Sequence, residues 1–210
     1  MLFRSTLSAT YHDILKDRLY TLGTANPLRR SSQAAIHDIF RTLARILAPV
    51  IPFTTDEAWS FAGHGTEFGA GSVHLEDWPG IPASWSVPKA DAEMASLLTV
   101  RARVNEAIEP LRAAGRVGKS LDAAVTLLVP ADDPLRRVLE DHRGALPEIF
   151  IVSDARMEAP AEPGGPFSVS VRPCSELGLL RCPRCWRWVP ALVNTPLADV
   201  CPRCQEALKP

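Results

Sequence analysis

No apolar run in these 210 residues approaches the roughly 18 needed to cross a bilayer as a helix, so the expectation is a soluble protein without a membrane partner. The opening Met1-Leu2-Phe3-Arg4 is not followed by the apolar core of a secretory signal, and nothing else points to an oxidising compartment. A complete phosphate-binding loop is also missing. Gly118-Lys119-Ser120 supplies its end, but the earlier glycine it needs falls on Ala113, and a helical pattern rather than a strand precedes it. The five histidines, His12, His37, His64, His74 and His142, are scattered and make no Ser/His/Asp or Cys/His constellation. Asp132-Asp133 and Glu140-Asp141 sit beside proline or on a polar helix face, where solvation accounts for them. The chain has no self-contained active site.

An excess of either charge is missing, with 23 Lys/Arg against 24 Asp/Glu and a net −1, but the distribution is uneven. Residues 1–49 hold seven Lys/Arg against three Asp/Glu, and residues 172–210 hold six against three. The ends therefore carry +4 and +3, and the middle carries −8. Basic ends around an acidic middle suit a chain that touches phosphates in two places, although ordinary solvated faces give the same pattern.

What is present in abundance is cysteine order. The identical tetrapeptides Cys182-Pro183-Arg184-Cys185 and Cys201-Pro202-Arg203-Cys204 are separated by 15 residues. Each tight turn brings two sulfurs to one point, its proline presets the bend, and a small ribbon can span the interval. The expectation is one structural zinc held by Cys182, Cys185, Cys201 and Cys204, with no open coordination position and hence no chemistry at the metal. Arg184, Arg187 and Arg203 are placed to offset the negative thiolate cluster. Rubredoxin-like iron is the main rival, since four thiolates suit iron as well. Disulfides and a redox pair fit less well, because nothing indicates secretion and redox C-x-x-C pairs come singly. Cys174 falls outside the spacing. Metal-holding cysteines place the chain in the cytoplasm.

Helical periodicity runs through Leu7, Tyr11, Ile14, Leu15 and Leu19, predicting a helix over 7–20. Asn26 caps a second helix that starts at Pro27 and turns Ile36, Ile39, Phe40, Leu43, Ile46, Leu47 and Val50 inward. Thr54 and Glu57 have capping-box spacing for a third helix, with Trp59 and Phe61 as core volume. Residues 63–88 read as an ordered loop, and Met94 to Leu111 as a long fourth helix. Strands are expected over 123–129, 148–152 and 167–171, with a short helix over 134–142. The fold class that follows is mainly α: an antiparallel helical bundle over 1–115, a small α/β unit over 116–173 and a four-cysteine zinc ribbon over 174–210.

Several stretches resemble one family in order along nearly the whole chain. They are Asp13-Ile14-Leu15-Lys16-Asp17-Arg18-Leu19-Tyr20-Thr21, Arg29-Arg30-Ser31-Ser32-Gln33 and the run from Leu47 to Trp59. Val73-His74-Leu75-Glu76-Asp77-Trp78-Pro79, Arg116-Val117-Gly118-Lys119-Ser120-Leu121-Asp122-Ala123 and the two cysteine knuckles continue the series. This pattern resembles the anticodon-binding end of bacterial-type isoleucyl-tRNA synthetases. The resemblance implies an isoleucine-specific tRNA as partner, the catalytic half of the same enzyme as a second partner, and a monomer. ATP would serve only the complete enzyme, because the family's His-x-Gly-His and Lys-Met-Ser-Lys-Ser signatures and its editing domain are absent here. Lys16, Arg18, Arg29 and Arg30 are the expected phosphate contacts, and Trp186 a stacking residue, with local ion pairing and ribbon packing as their alternative roles. A free-standing RNA-binding adaptor of the same architecture is the second reading, and a valine- or leucine-type synthetase end the third.

Overall fold

The structure, a computed structural model, describes residues 3–62, 71–162, 164–196 and 198–209. It is mainly helical, with a small mixed sheet and a four-cysteine cluster near the end of the chain. Two compact units form, one from Met1–Thr24 with Pro88–Pro210, the other from Ala25–Val87.

The discontinuous unit begins with a widely wound helical segment, Phe3–His12, that runs into α1, Asp13–Thr21. Its long helix α4 covers Pro88–Ala113. The buried positions of α4 are Leu97, Val100, Val104 and Ile108, steps of three and four residues that keep one stripe facing inward. That stripe packs with Val125, Leu127, Leu139, Leu146 and Phe150 in one core. Each such side chain, fully buried, stabilises the fold by about 1.5–3 kcal/mol before entropy is counted.

Strand β1, Ala123–Leu128, alternates buried and half-buried residues as a sheet with one covered face should. After it come α5, Leu135–Asp141, and the single-turn α6, Leu146–Ile149. Strand β2 is Asp154–Glu158 and β3 is Ser168–Pro173. The sheet order is β2-β1-β3, with β1 parallel to β2 and antiparallel to β3. Val125 sits opposite Ala155 on one side and Val171 on the other. A strand over 148–152 is not formed. Pro147 sits in the first turn of α6, Ile151 turns the chain with φ at +57°, and pairing resumes only at Asp154.

The ribbon comprises β4, Leu180–Arg181, paired antiparallel with β5, Trp188–Val189, and the terminal helix α7, Pro202–Ala207. Side chains join it to the sheet. The Trp188 indole donates to Asp122 Oδ1 at 3.0 Å, and the Trp188 amide donates to Ser153 Oγ at 2.8 Å. Arg116 forks onto both oxygens of Glu176 at 2.7 and 2.8 Å.

The second unit contains α2, Pro27–Leu47, and α3, Pro52–Ala62. Asn26 caps α2 as expected, accepting from the Leu28 amide at 3.0 Å. Its small core holds Ala44, Ala48, Trp59 and Val73, with Phe40 stacked 6.5 Å from Trp59. Three details differ from expectation. Helix α3 starts at Pro52, whose missing amide costs nothing there, so Thr54 lies inside the first turn and cannot cap it. Phe61 is 72% exposed rather than in the core. Ile46 and Val50 are exposed too, Val50 because α2 ends three residues before it. Of the loop expected over 63–88, residues 63–70 lie outside the described residues. The remainder is anchored by Asp56, which accepts from the Ser72 hydroxyl and from the Val73 amide at 3.1 Å.

Candidate functional site

The two knuckles fold as the spacing requires. Cys182 follows β4, and the chain reverses so that Trp186 N–H donates to Cys182 O and Cys182 N–H donates to Arg187 O, both at 2.9 Å. Cys201 precedes the first turn of α7, Pro202 occupies its start, and Cys204 lies within it. All four cysteines are buried, and their sulfurs lie within 4.8 Å of one another. Val189, Leu192 and Val200 surround them. This arrangement can hold a metal ion. Cys174 is buried elsewhere and outside the cluster.

The electrostatics of the sulfurs favour a cation. Burial pushes up the thiols of Cys185 and Cys204. Burial opposes ionisation of Cys182 as well, but amides of Cys185, Cys201 and Arg184 outweigh it and pull that thiol down to about 6. The Cys201 amide, for one, donates to Cys182 Sγ at 3.3 Å. Four thiols this close cannot all ionise unaided, so a full set of thiolates needs a metal among them.

The arginines between the cysteines bind α1 as well as sulfur. Arg184 Nη1 donates to Thr21 O at 2.6 Å and approaches Cys204 Sγ at 3.4 Å. Arg187 donates to Asp17 Oδ2 at 3.1 Å, and Arg203, which also lies beside Cys185, donates to Asp17 Oδ1 at 2.7 Å. Burial alone would raise the Asp17 carboxyl, but Arg203 and Arg187 outweigh it and hold it below the usual carboxylate range. No sequence pattern announced this clamp, because Asp17 stands 186 residues from Arg203.

The expected RNA-facing residues divide between the two units. Lys16, on α1, is 65% exposed and pairs locally with Asp13 at 2.9 Å. Arg18 is mostly covered and pairs with Glu148 of α6. Arg29 and Arg30 belong to the first turn of α2 in the other unit, with Arg30 exposed and Arg29 half-buried. Trp186 is 51% exposed. Its ring carries Lys119 Nζ 4.4 Å from its centre and the Arg181 guanidinium at 5.9 Å. Trp188, by contrast, is fixed by the two hydrogen bonds that dock the ribbon.

Lys16 and Trp186 meet at one cavity of about 380 Å³ between α1, α6 and the first knuckle. Its apolar walls are Ile14, Tyr20, Leu121 and Ile151 together with Trp186. Arg18 reaches it only through Glu148, which is one of its lining residues. In the sequence Lys119 stood in an incomplete phosphate loop and in the stretch Arg116 to Ala123 that carries the resemblance. Its amide is bonded to the Asp122 carboxylate at 2.8 Å, so the turn satisfies its own donor.

Known proteins are similar to this chain in sequence along nearly its whole length. Residues 1–127 match the family model described as the anticodon-binding domain of tRNA ligase. The isoleucine–tRNA ligase of Thermotoga maritima is 35% identical over 206 residues, covering 97% of this chain and 22% of its own length. That of Brachyspira hyodysenteriae is 35% identical over 209 residues, with the same coverage of each. That of Bordetella petrii is 34% identical over 206 residues, covering 94% of this chain and 21% of its own. The chain thus spans about a fifth of the length of these relatives, and the similarity extends past the matched family model into the cysteine ribbon. The chain belongs to the anticodon-binding domain family of tRNA ligases, and the relatives it resembles from end to end are isoleucine–tRNA ligases.

Proposed function

We propose that this chain is the tRNA-binding part of an isoleucine–tRNA ligase, working in the cytoplasm as a monomer joined to the enzyme's catalytic half. The observation that carries this reading is the similarity to isoleucine–tRNA ligases over 97% of the chain, ribbon included. In the complete enzyme, ATP-driven activation of isoleucine and its transfer to tRNA belong to the larger portion of the protein. The portion described by this chain holds the anticodon stem-loop. Cations on α1 and at the start of α2 meet phosphates, and exposed aromatic surface meets unpaired bases.

One zinc ion fits the cysteine cluster as a structural centre. A tetrahedron of sulfurs about 2.3 Å from zinc has edges of about 3.8 Å, and Cys185 and Cys201 sulfurs stand 3.7 Å apart. Cys182, Cys185, Cys201 and Cys204 supply the ligands, and the ion organises the ribbon that supports α1.

The test is titration of the zinc-loaded chain with an isoleucine tRNA across a range of salt. Binding should weaken steeply as salt rises, since each neutralised phosphate releases a counterion. Absence of binding at low salt would reject the reading.

A further inference from the structure

Two arginines of the knuckles each hold a cluster sulfur and α1 at once. Arg184 Nη1 stands 2.6 Å from the Thr21 carbonyl and 3.4 Å from Cys204 Sγ. Thr21 ends α1, so its carbonyl is one that a helix terminus leaves without an internal partner, and a cation suits that negative end. Arg203 lies against Cys185 and forks onto both oxygens of Asp17, which Arg187 also reaches at 3.1 Å. The Thr21 hydroxyl donates to Asp17 O at 2.6 Å and to Asp17 Oδ1 at 3.2 Å. The carboxylate and the helix end therefore form one unit, and the Asp17 side chain is only 20% exposed.

The charges of this network balance when the cluster is loaded. Four thiolates around a divalent ion carry two net negative charges. Arg184, Arg187 and Arg203 bring three positive charges and Asp17 one negative, so the loaded assembly is neutral. A guanidinium also donates more strongly to a thiolate, which metal binding fixes, than to a neutral thiol. We propose that Asp17 is a positioning residue for the metal cluster. Through Arg203 and Arg187 it aligns both knuckles, so that metal uptake and docking of the last turn of α1 are one coupled event. The proposal rests on the structural-zinc reading above and adds a helix, remote from the ligands in sequence, that sets the metal's affinity. Such coupling is reciprocal: docked α1 favours the assembled thiolates, and assembled thiolates favour docked α1.

The experiment measures zinc affinity, by competition with a chromophoric chelator, for the parent, Asp17→Asn, Arg203→Gln and the double variant. Circular dichroism verifies the helices of each. Each single variant should bind zinc about ten-fold more weakly, within the usual range for coupled sites. The double variant should lose far less than the roughly 100-fold that independent effects would give. For Asp17→Asn, charge alone acts in the opposite sense, since removing a negative group favours a negatively charged thiolate set. Weaker binding there reports position. The parent supplies a second readout that needs no variant to fold. Stripping its zinc should speed amide exchange at Leu19, Tyr20 and Thr21 of α1 by about ten-fold or more, with Val100, Val104 and Ile108 of α4 unchanged. Three results would each overturn the proposal while the zinc reading stands. They are single variants that bind zinc as the parent does, losses that multiply in the double variant, and α1 exchange that stays unchanged or rises only together with α4. If the parent takes up no zinc, both fall.

Discussion

Arg203, from within the second knuckle, places its guanidinium on Asp17 of α1, with Nη2 2.7 Å from Oδ1. Arg187 of the first knuckle reaches the same carboxylate. One half-buried acid thus gathers both knuckles against the helix that carries Lys16. Asp17→Asn should destabilise the chain by about 2 kcal/mol, the scale of hydrogen bonds to a charged group. The sign of its pH dependence follows from a carboxyl held low in the fold. Its contribution is complete above the ordinary value of 3.8 and fades only as pH falls through the lower folded value. The stability difference between parent and variant, from urea unfolding, should therefore stay level from about pH 8 to about pH 5. A difference that shrinks across that span would show that another group carries it.

Metal uptake should release protons. With Cys185 and Cys204 held protonated by burial, binding of zinc near neutral pH should release at least two protons per ion. Apparent affinity should then fall about 100-fold for each pH unit lowered from about 8 to 7, the weight of two coupled protons. Cys182, down at about 6, adds little until the pH approaches that value. Zinc competition titrations at several pH values measure the slope, and a slope below one would contradict the thiol assignment. Cys185→Ser or Cys201→Ser should lose the ion and the ribbon's order, because so small a unit has little other core.

How far the sequence foretold this structure depended on the range of the interaction. The cysteine cluster was legible because two turns of four residues place the sulfurs locally, whatever lies between. Asn26 and Pro27 announced the start of α2 for the same reason. Glu148 to Val152 misled because a short apolar run reads alike as strand or buried turn, and Pro147 and the left-handed Ile151 decided it. The capping-box spacing of Thr54 and Glu57 lost to a stronger start signal two residues earlier. The clamp on Asp17 and the cavity beside it are made by residues far apart in sequence. No window along the chain contains them.

Arg29 and Arg30 open α2 and belong to the unit that does not contain that cavity. Replacing both with Gln should weaken tRNA binding and flatten its salt dependence by up to about two units, roughly one for each phosphate left without its cation. Discrimination among anticodons should change little, since pairing with phosphate carries no sequence information. An unchanged salt slope would remove the first turn of α2 from the RNA surface.

The most direct test of the central claim compares two stem-loops of equal length and charge on the zinc-loaded chain. One carries an isoleucine anticodon and the other a scrambled triplet. Binding that reads bases should favour the isoleucine anticodon by about ten-fold or more, since each mismatched base costs roughly 1–3 kcal/mol. Equal affinity for the two would mean that the chain grips phosphate alone, and would contradict its assignment as an anticodon reader.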